Sequence, residues 1–335
     1  MITHTSAELR VALLQALREC QRPLLLGHVQ IDGDALGAAV AMAAAFTAHG
    51  CLPLVLLDEP APRLFEFLVQ GVPVRVISDD AAAREAVAHA DLALVLDNNA
   101  WPRIGRMEAP LRAASFPVLC VDHHPAPVAF SKLHLVDTGA ASTGVLVQEI
   151  LEELNWPIQP QAADALYTAL VNDTGWFRWS NSDERAFAAA QRLVRAGAQP
   201  QRVAAELGQR ESLAGKQLLS QFLASIEVLH DGRCALGHVT QSMFRATGAL
   251  RADSEDFVNQ LRSIEGVGIA VFVREEPDGV KFSFRTRAPW SALRLAQHFC
   301  GGGHMLAAGA SHPGPLRAAF AAVLAAVEHE LRSTG

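Results

Sequence analysis

Cysteine pairs spaced C-x-x-C are absent from this sequence. Its five cysteines, Cys20, Cys51, Cys120, Cys234 and Cys300, are odd in number and far apart. That distribution indicates neither a disulfide framework nor a zinc knuckle, and it fits a reduced cytoplasm. A basic surplus is also missing, because 28 Lys and Arg face 35 Asp and Glu, a formal net charge of −7. Long duplex nucleic acid is usually gripped by a broad basic surface that releases counterions, so such a partner is disfavoured. A short anionic substrate held by a few local arginines stays allowed. Long apolar runs are lacking as well. The softest stretch, Ala35 to Ala48, is too short and too rich in alanine to span a bilayer, so no membrane is expected as a partner. The opening pattern, Thr5-Ser6-Ala7-Glu8 before Leu9, Val11, Leu13, Leu14 and Leu17, reads as a capped amphipathic helix rather than a signal peptide. With no repeat or low-complexity segment, and 50% hydrophobic residues over 335 positions, the chain is expected to be globular and long enough for two domains.

What the sequence does contain centres on Leu25-Leu26-Gly27-His28-Val29-Gln30-Ile31-Asp32-Gly33-Asp34-Ala35-Leu36-Gly37. An apolar run stops at His28, two carboxylates follow, and an Ala-rich helical pattern begins at Asp34 and closes at Gly50. Further apolar strands are expected at Leu52 to Leu57, Val74 to Ile77, Leu92 to Leu96 and Pro117 to Val121, with a helix over Ala81 to Ala90. Uninterrupted apolar strands alternating with helices predict an α/β domain, a parallel sheet with helices on both faces. Taken singly, Asp32 and Asp34 could be capping acids of a solvated turn, Asp97 a strand-end cap and His123 a satisfied loop histidine. In a parallel sheet, however, all carboxyl ends lie on one edge. Strands ending in His28/Asp32/Asp34, in Asp97 and in Asp122-His123-His124 can therefore share one site.

After helices from Ser142-Thr143-Gly144 to Leu154 and from Pro160 to about Val171 comes Asn172-Asp173-Thr174-Gly175-Trp176-Phe177-Arg178-Trp179. Here Asp173 reads as a further ligand and Arg178 as a phosphate contact, against the alternative that the aromatics are simply core. The candidate set is then His28, Asp32, Asp34, Asp97, His123 and Asp173. Four carboxylates and two imidazoles without a thiolate favour hard or borderline divalent ions, Mn²⁺ or Mg²⁺. Six such ligands suit two ions about 3.5–4 Å apart, with a carboxylate such as Asp97 bridging them and a shared water made acidic enough to attack phosphorus in line. His124, Arg103 and Arg178 are candidates to neutralise charge on phosphorus, and Asp122 to orient the histidine pair.

Helical patterns are expected to fill Asp183 to Leu229. They set a first domain over 1–190, a helical connector over 191–229 and a smaller α+β domain over 230–335. In the last of these, strands are expected at Arg233 to Val239, Gly268 to Arg274 and Val280 to Arg287, the latter two flanking the turn Pro277-Asp278-Gly279. Helices are expected near Gln241 to Ala246 and over Ser254 to Ile264, Ser291 to Phe299 and Leu316 to Leu331. Ser283, Arg285 and Arg287 alternate and so share a strand face. Gly301-Gly302-Gly303-His304 offers backbone N–H groups that could cradle an anion, with a flexible loop as the plainer reading.

In combination and order, these motifs resemble the DHH phosphoesterases with a DHH-associated C-terminal domain. The resemblance rests on His28-x3-Asp32-x-Asp34, Asp97 with Arg103-Ile104-Gly105, Asp122-His123-His124, Asn172 to Arg178, and Gly301-Gly302-Gly303-His304 with Ala307-Ala308-Gly309. It covers nearly the whole chain and is most like the nanoRNase and pAp-phosphatase subgroup. That likeness implies Mn²⁺-dependent hydrolysis of short single-stranded RNA from the 3′ end, and removal of the 3′-phosphate from adenosine 3′,5′-bisphosphate (pAp). It also implies first-ion ligands at His28, Asp32 and Asp97, second-ion ligands at Asp34, Asp97, His123 and Asp173, and substrate contacts at Arg285 and His304. Ile31 stands where the family usually has proline. Cys300 and Met305-Leu306 replace residues common around the glycine run, which bears on substrate choice and not on the ligands. The competing readings are a pyrophosphatase or exopolyphosphatase, a cyclic- or linear-dinucleotide phosphodiesterase, and a non-catalytic nucleotide sensor. A homodimer is compatible with all of them.

Overall fold

The computed structural model describes residues 6–125, 131–208 and 212–333, and at His304 the backbone alone. The chain divides into two compact units, Met1–Arg210 and Glu211–Gly335. In the first unit, β1 (Pro23–Leu26), β2 (Leu54–Leu57), β3 (Val74–Val76), β4 (Leu92–Leu96), β5 (Val118–Asp122) and β6 (Leu133–Val136) form one sheet. Their order is β3-β2-β1-β4-β5-β6 and every pairing is parallel. The order reverses between β1 and β4, the crevice where open α/β sheets bind ligands.

Side chains alternate between two cores. Leu25, Leu94, Leu119 and Val121 face one helical layer, whereas Leu24, Leu26, Ala93 and Val95 face the other. The first layer contains α1 (Ala7–Glu19), α2 (Gly33–Ala48), α5 (Thr143–Leu154) and α6 (Pro160–Asp173), with α7 (Glu184–Arg195) and α8 (Pro200–Gly208) packed outside them. The second contains α3 (Asp80–Ala88), α4 (Glu108–Arg112) and a 3₁₀ turn, Trp101–Met107. Small residues let α2 and α6 touch: a Cβ on Gly37 would lie 2.4 Å from the Ala165 carbonyl oxygen. This close packing brings the N-terminus of α2 and the C-terminus of α6 to the same edge of the sheet.

In the second unit, α9 (Leu213–Ala224), α10 (Gln241–Thr247), α11 (Phe257–Arg262), α12 (Ala292–Gln297) and α13 (Leu316–Ser333) surround a mixed sheet. Its strands are β7 (Glu227–Leu229), β8 (Cys234–Val239), β9 (Ile269–Glu276), β10 (Gly279–Thr286), β11 (Gly302–His304) and β12 (Ala307–His312), in the order β11-β12-β10-β9-β8-β7. Only β8 and β9 pair in parallel.

Several elements differ from the sequence expectation. β6 escaped it because His134 interrupts a short apolar run. Residues 227–229, expected to be helical, form the edge strand β7. The glycine run is an edge strand of a hairpin, with Gly302 paired to Gly309 and Gly303 to Ala308. Glycine is required at position 301, where a Cβ would meet the Gly309 carbonyl oxygen at 2.3 Å. The helices of the expected connector fall on both sides of the division, α7 and α8 in the first unit and α9 in the second. All five cysteines are free thiols. Among the described residues, no helix is long and apolar enough to cross a membrane.

Candidate metal centre

Three strand ends and two helix ends build one polar cluster on the first unit. His28 follows β1, Asp97 follows β4 and His123 and His124 follow β5. Asp32 caps α2, Asp34 lies in its first turn, and Asp173 is the last residue of α6. His28 Nε2 lies 3.7 Å from Asp32 Oδ2 and 3.5 Å from Asp97 Oδ2. His123 Nε2 lies 3.0 Å from Asp173 Oδ2, 3.5 Å from Asp97 Oδ1 and 3.7 Å from Asp34 Oδ2. Among the described residues, three groups of ligand atoms, each within 4.8 Å of one another, could hold an ion: His28/Asp32/Asp97, Asp34/His123/Asp173 and Asp97/His123/His124. Asp97 presents its two oxygens to different histidines.

The ring orientations bear on what fills the space between these groups. His28 Nδ1 is 2.7 Å from the Val29 carbonyl and His123 Nδ1 is 3.2 Å from that of Ala140. A carbonyl accepts, so each Nδ1 carries a proton and each Nε2 turns toward carboxylates. His123 Nε2 is buried and makes no hydrogen bond. A ring neutral at Nε2 would aim a lone pair at carboxylate oxygens, so the position calls for positive charge, a proton in the metal-free chain or a cation in its place. Asp173 adds to the strain, since it stands at a helix C-terminus, where the macrodipole disfavours an anion. A divalent cation relieves all of these contacts at once, and the oxygen and imidazole donors fit one.

The titration behaviour has the same origin. Burial works against charge on the His28 ring, yet Asp32 and Asp97 outweigh it and push the pKa up to about 10. Burial of His123 is likewise outweighed, chiefly by Asp173, and its pKa rises to about 9. Burial, reinforced by Asp173, Asp97 and Asp32, drives Asp34 well above the ordinary carboxylate range. Asp97 is also raised, by burial and then by Asp32 and Asp173 against the opposing pull of His28 and His124. For Asp32, burial opposes ionisation, but His28 and the N–H groups of Ala35 and Asp34 hold it below the usual value.

Residues outside the sequence-based set complete the frame. The N-terminus of α5 donates to both Asp34 oxygens, Thr143 N–H at 2.6 Å and Gly144 N–H at 2.8 Å. The Thr143 hydroxyl donates to Asp97 Oδ1 at 3.0 Å. Asn99 Nδ2 donates to Asp122 Oδ2 and to the His124 carbonyl. The small residues at the start of α5 were the available signal, and they read only as a helix start. Asp122 is fully buried and accepts from His124 N and Nδ1 at 3.2 and 3.0 Å. It thus orients His124, whereas the Ala140 carbonyl orients His123. Asp97 itself has a left-handed φ of +58°, the kind of backbone strain that collects at functional sites.

The remaining candidates have other partners. The Arg178 side chain is exposed, with Nε donating to the Gly175 carbonyl at 2.6 Å. The Arg103 side chain is exposed too, while its carbonyl accepts from Val29 N–H at 2.8 Å. In the second unit, Ser283 and Arg285 are half-buried on the β10 face opposite Phe282 and Phe284. Burial, then Arg262, lowers the Arg285 pKa. Arg287 lies just past β10 and donates to the Arg262 carbonyl at 3.1 Å. Gly301 N–H donates to the Ala296 carbonyl at 2.9 Å, and Gly302 and Gly303 pair with β12. The His304 side chain lies outside what the structure describes.

Comparison with known proteins places both parts of the chain. Residues 23–170 match the DHH family, N-terminal domain, and residues 240–333 match the DHHA1 domain. The chain is 29% identical over 334 residues to a Thermus thermophilus protein named Bifunctional oligoribonuclease and PAP phosphatase NrnA, covering 96% of this chain and 94% of that one. A Bacillus subtilis protein of the same name is 26% identical over 310 residues, covering 90% and 93%. Among solved structures, an exopolyphosphatase-related protein from Bacteroides fragilis shares the fold with a TM-score of 0.91 at 23% identity, over 97% and 96% of the two chains. RecJ of Thermus thermophilus in complex with Mn²⁺ superposes with a TM-score of 0.52 at 15% identity, over 98% of this chain and 55% of that one. The chain therefore belongs to the DHH phosphoesterase family, metal-dependent hydrolases of phosphoester bonds, and carries a DHHA1 domain toward its C-terminus.

Proposed function

We propose that this protein is a two-ion, Mn²⁺-dependent phosphoesterase that degrades short oligoribonucleotides from the 3′ end and converts pAp to AMP. The observation that carries the reading is the place of Asp97 between two ligand triads, a member of His28/Asp32/Asp97 and 3.5 Å from His123 of Asp34/His123/Asp173. His28, Asp32 and Asp97 suit one ion, and Asp34, Asp97, His123 and Asp173 suit the other. When bound, two such ions supply Lewis acidity to a water nucleophile and neutralise charge on the phosphoryl oxygens.

The chain's own residues do the rest. The α5 N-terminus fixes Asp34 through both oxygens, and Thr143 fixes Asp97, so the ligands are held before substrate arrives. His124, anchored on Asp122 and 44% exposed, is suited to donate to a phosphoryl oxygen or to the leaving oxygen. Arg178 and Arg103, both exposed, are suited to offset phosphate charge. In the second unit, Ser283, Arg285, Arg287, Gly301 to Gly303 and His304 are assigned to the nucleotide. The substrate class is supported by near full-length similarity to relatives named for oligoribonuclease and PAP phosphatase activity.

The test is a hydrolysis panel with Mn²⁺ containing a diribonucleotide, pAp, a cyclic dinucleotide, pyrophosphate and a longer DNA strand. Fast turnover of the first two is expected. Preference for pyrophosphate or for the DNA strand would overturn the assignment.

A further inference from the structure

The Arg103-Ile104-Gly105 motif singled out in the sequence is tied to His28 through the backbone. Val29 N–H donates to the Arg103 carbonyl at 2.8 Å, and the Val29 carbonyl accepts from His28 Nδ1 at 2.7 Å. The turn holding Arg103 is pinned on its other side by Asp58, the residue after β2. Asp58 Oδ1 accepts from Arg106 N–H at 3.2 Å. The Arg106 guanidinium reaches the Asp58 and Ile77 carbonyls at 3.5 and 3.3 Å. Gly105 is pressed between the two partners. A Cβ there would lie 2.7 Å from Asp58 Oδ1 and 2.7 Å from Val29 Cγ1, and its φ is +65°. Only glycine meets both demands.

We propose that Asp58 is a positioning residue for His28. It acts through the Arg103–Arg106 turn and the Val29 carbonyl to hold the imidazole with Nε2 toward Asp32 and Asp97. The alternative support for Val29 would be solvent, which fixes neither the carbonyl direction nor the ring. Partners of a ligating histidine in this role typically change metal affinity by about 10–100-fold when removed. Asp58 is two relays away, so the lower end is expected. The Asp34/His123/Asp173 group has its own supports in α5 and the Ala140 carbonyl. The effect should therefore fall on one ion and spare the other.

The experiment is a Mn²⁺ titration of the full chain, read from the electron paramagnetic resonance of free Mn²⁺, with melting in EDTA as the control for folding. In Asp58→Ala, one ion should bind about tenfold more weakly while the other stays within twofold. Asp58→Asn, which keeps an acceptor for Arg106 N–H, should recover most of the loss. Gly105→Ala tests the same relay from the opposite side and serves if Asp58→Ala does not fold. Unchanged isotherms, or an equal loss for both ions together with a lower melting temperature in EDTA, would overturn the proposal. It rests on His28 being a ligand, which the wild type tests separately: failure to bind two ions sinks the two-ion reading, whereas normal wild-type binding with silent variants sinks this inference alone.

Discussion

Replacing Asp97 by Asn should make the metal-free protein more stable and the enzyme inactive. Asp97 is 2% exposed and one of its oxygens lies within 4.8 Å of a ligand atom on Asp32 and of one on His28. At that separation two like charges repel by about 3.5 kcal/mol for an effective dielectric of about 20. His28 and His124 return part of this, but the net environment raises the Asp97 pKa. A carboxyl whose folded pKa is raised costs stability once pH exceeds that value, and the cost vanishes on acidification below its unfolded value. Asn keeps an acceptor for the Thr143 hydroxyl and tolerates the left-handed φ of +58° better than most residues. A gain of about 1–2 kcal/mol in EDTA at pH 7.5 is expected, or about 2–4 °C per kcal/mol for a unit of this size.

Mn²⁺ reverses the order. At about a hundredfold excess over Kd, an ion that binds only the folded chain adds about 2.7 kcal/mol. An asparagine amide in place of the shared carboxylate would serve neither triad, so the Asp97→Asn variant should forgo that increment and all turnover. Differential scanning fluorimetry with EDTA and with Mn²⁺ reads both halves of the prediction. A variant that is destabilised in EDTA, or that gains as much as wild type from Mn²⁺, would refute the reasoning.

Thr143→Val removes one hydroxyl and keeps the backbone donors to Asp34. Mn²⁺ affinity by calorimetry should fall about 10–100-fold, and Thr143→Ser should restore it. Mn²⁺ affinity should also tighten as pH rises. In the metal-free chain His28 and His123 hold their protons up to about 10 and about 9. Their imidazolium contacts therefore stabilise the fold fully below the unfolded value of about 6.5 and fade as pH climbs through those points. Ion binding displaces these protons, so log Kd should change by about one to two per pH unit between about pH 7 and 8.5. Calorimetry in buffers of different ionisation enthalpy counts the protons released, and a flat profile would count against displacement. Arg285→Ala should raise KM for a dinucleotide more than it slows a minimal phosphoester; equal losses on the two would remove Arg285 from the nucleotide contacts.

Much of the candidate cluster was legible because it sits where simple patterns end. The buried strands β1, β4 and β5 are short runs dominated by Leu, Val, Ala and Cys, and His28, Asp97 and His123 stand just past their ends. Alternation with helices then forces those ends onto one edge. Local pattern failed where residues of weak preference acquire structure only from a partner. β11 and β12, rich in Gly and Ala, are strands because they pair with each other and because β12 pairs with β10. β6 is a strand because β5 offers its open side.

The sequence by itself determined which acids and imidazoles stand at strand and helix ends, since apolar periodicity stops there whatever the rest of the chain does. Only the tertiary structure decided the order β3-β2-β1-β4-β5-β6, the contact of α2 with α6 that brings Asp34 and Asp173 together, and the hydrogen bond of Thr143 to Asp97. Those depend on which surfaces meet and how closely, which is a property of packing between distant segments and is written in no single stretch.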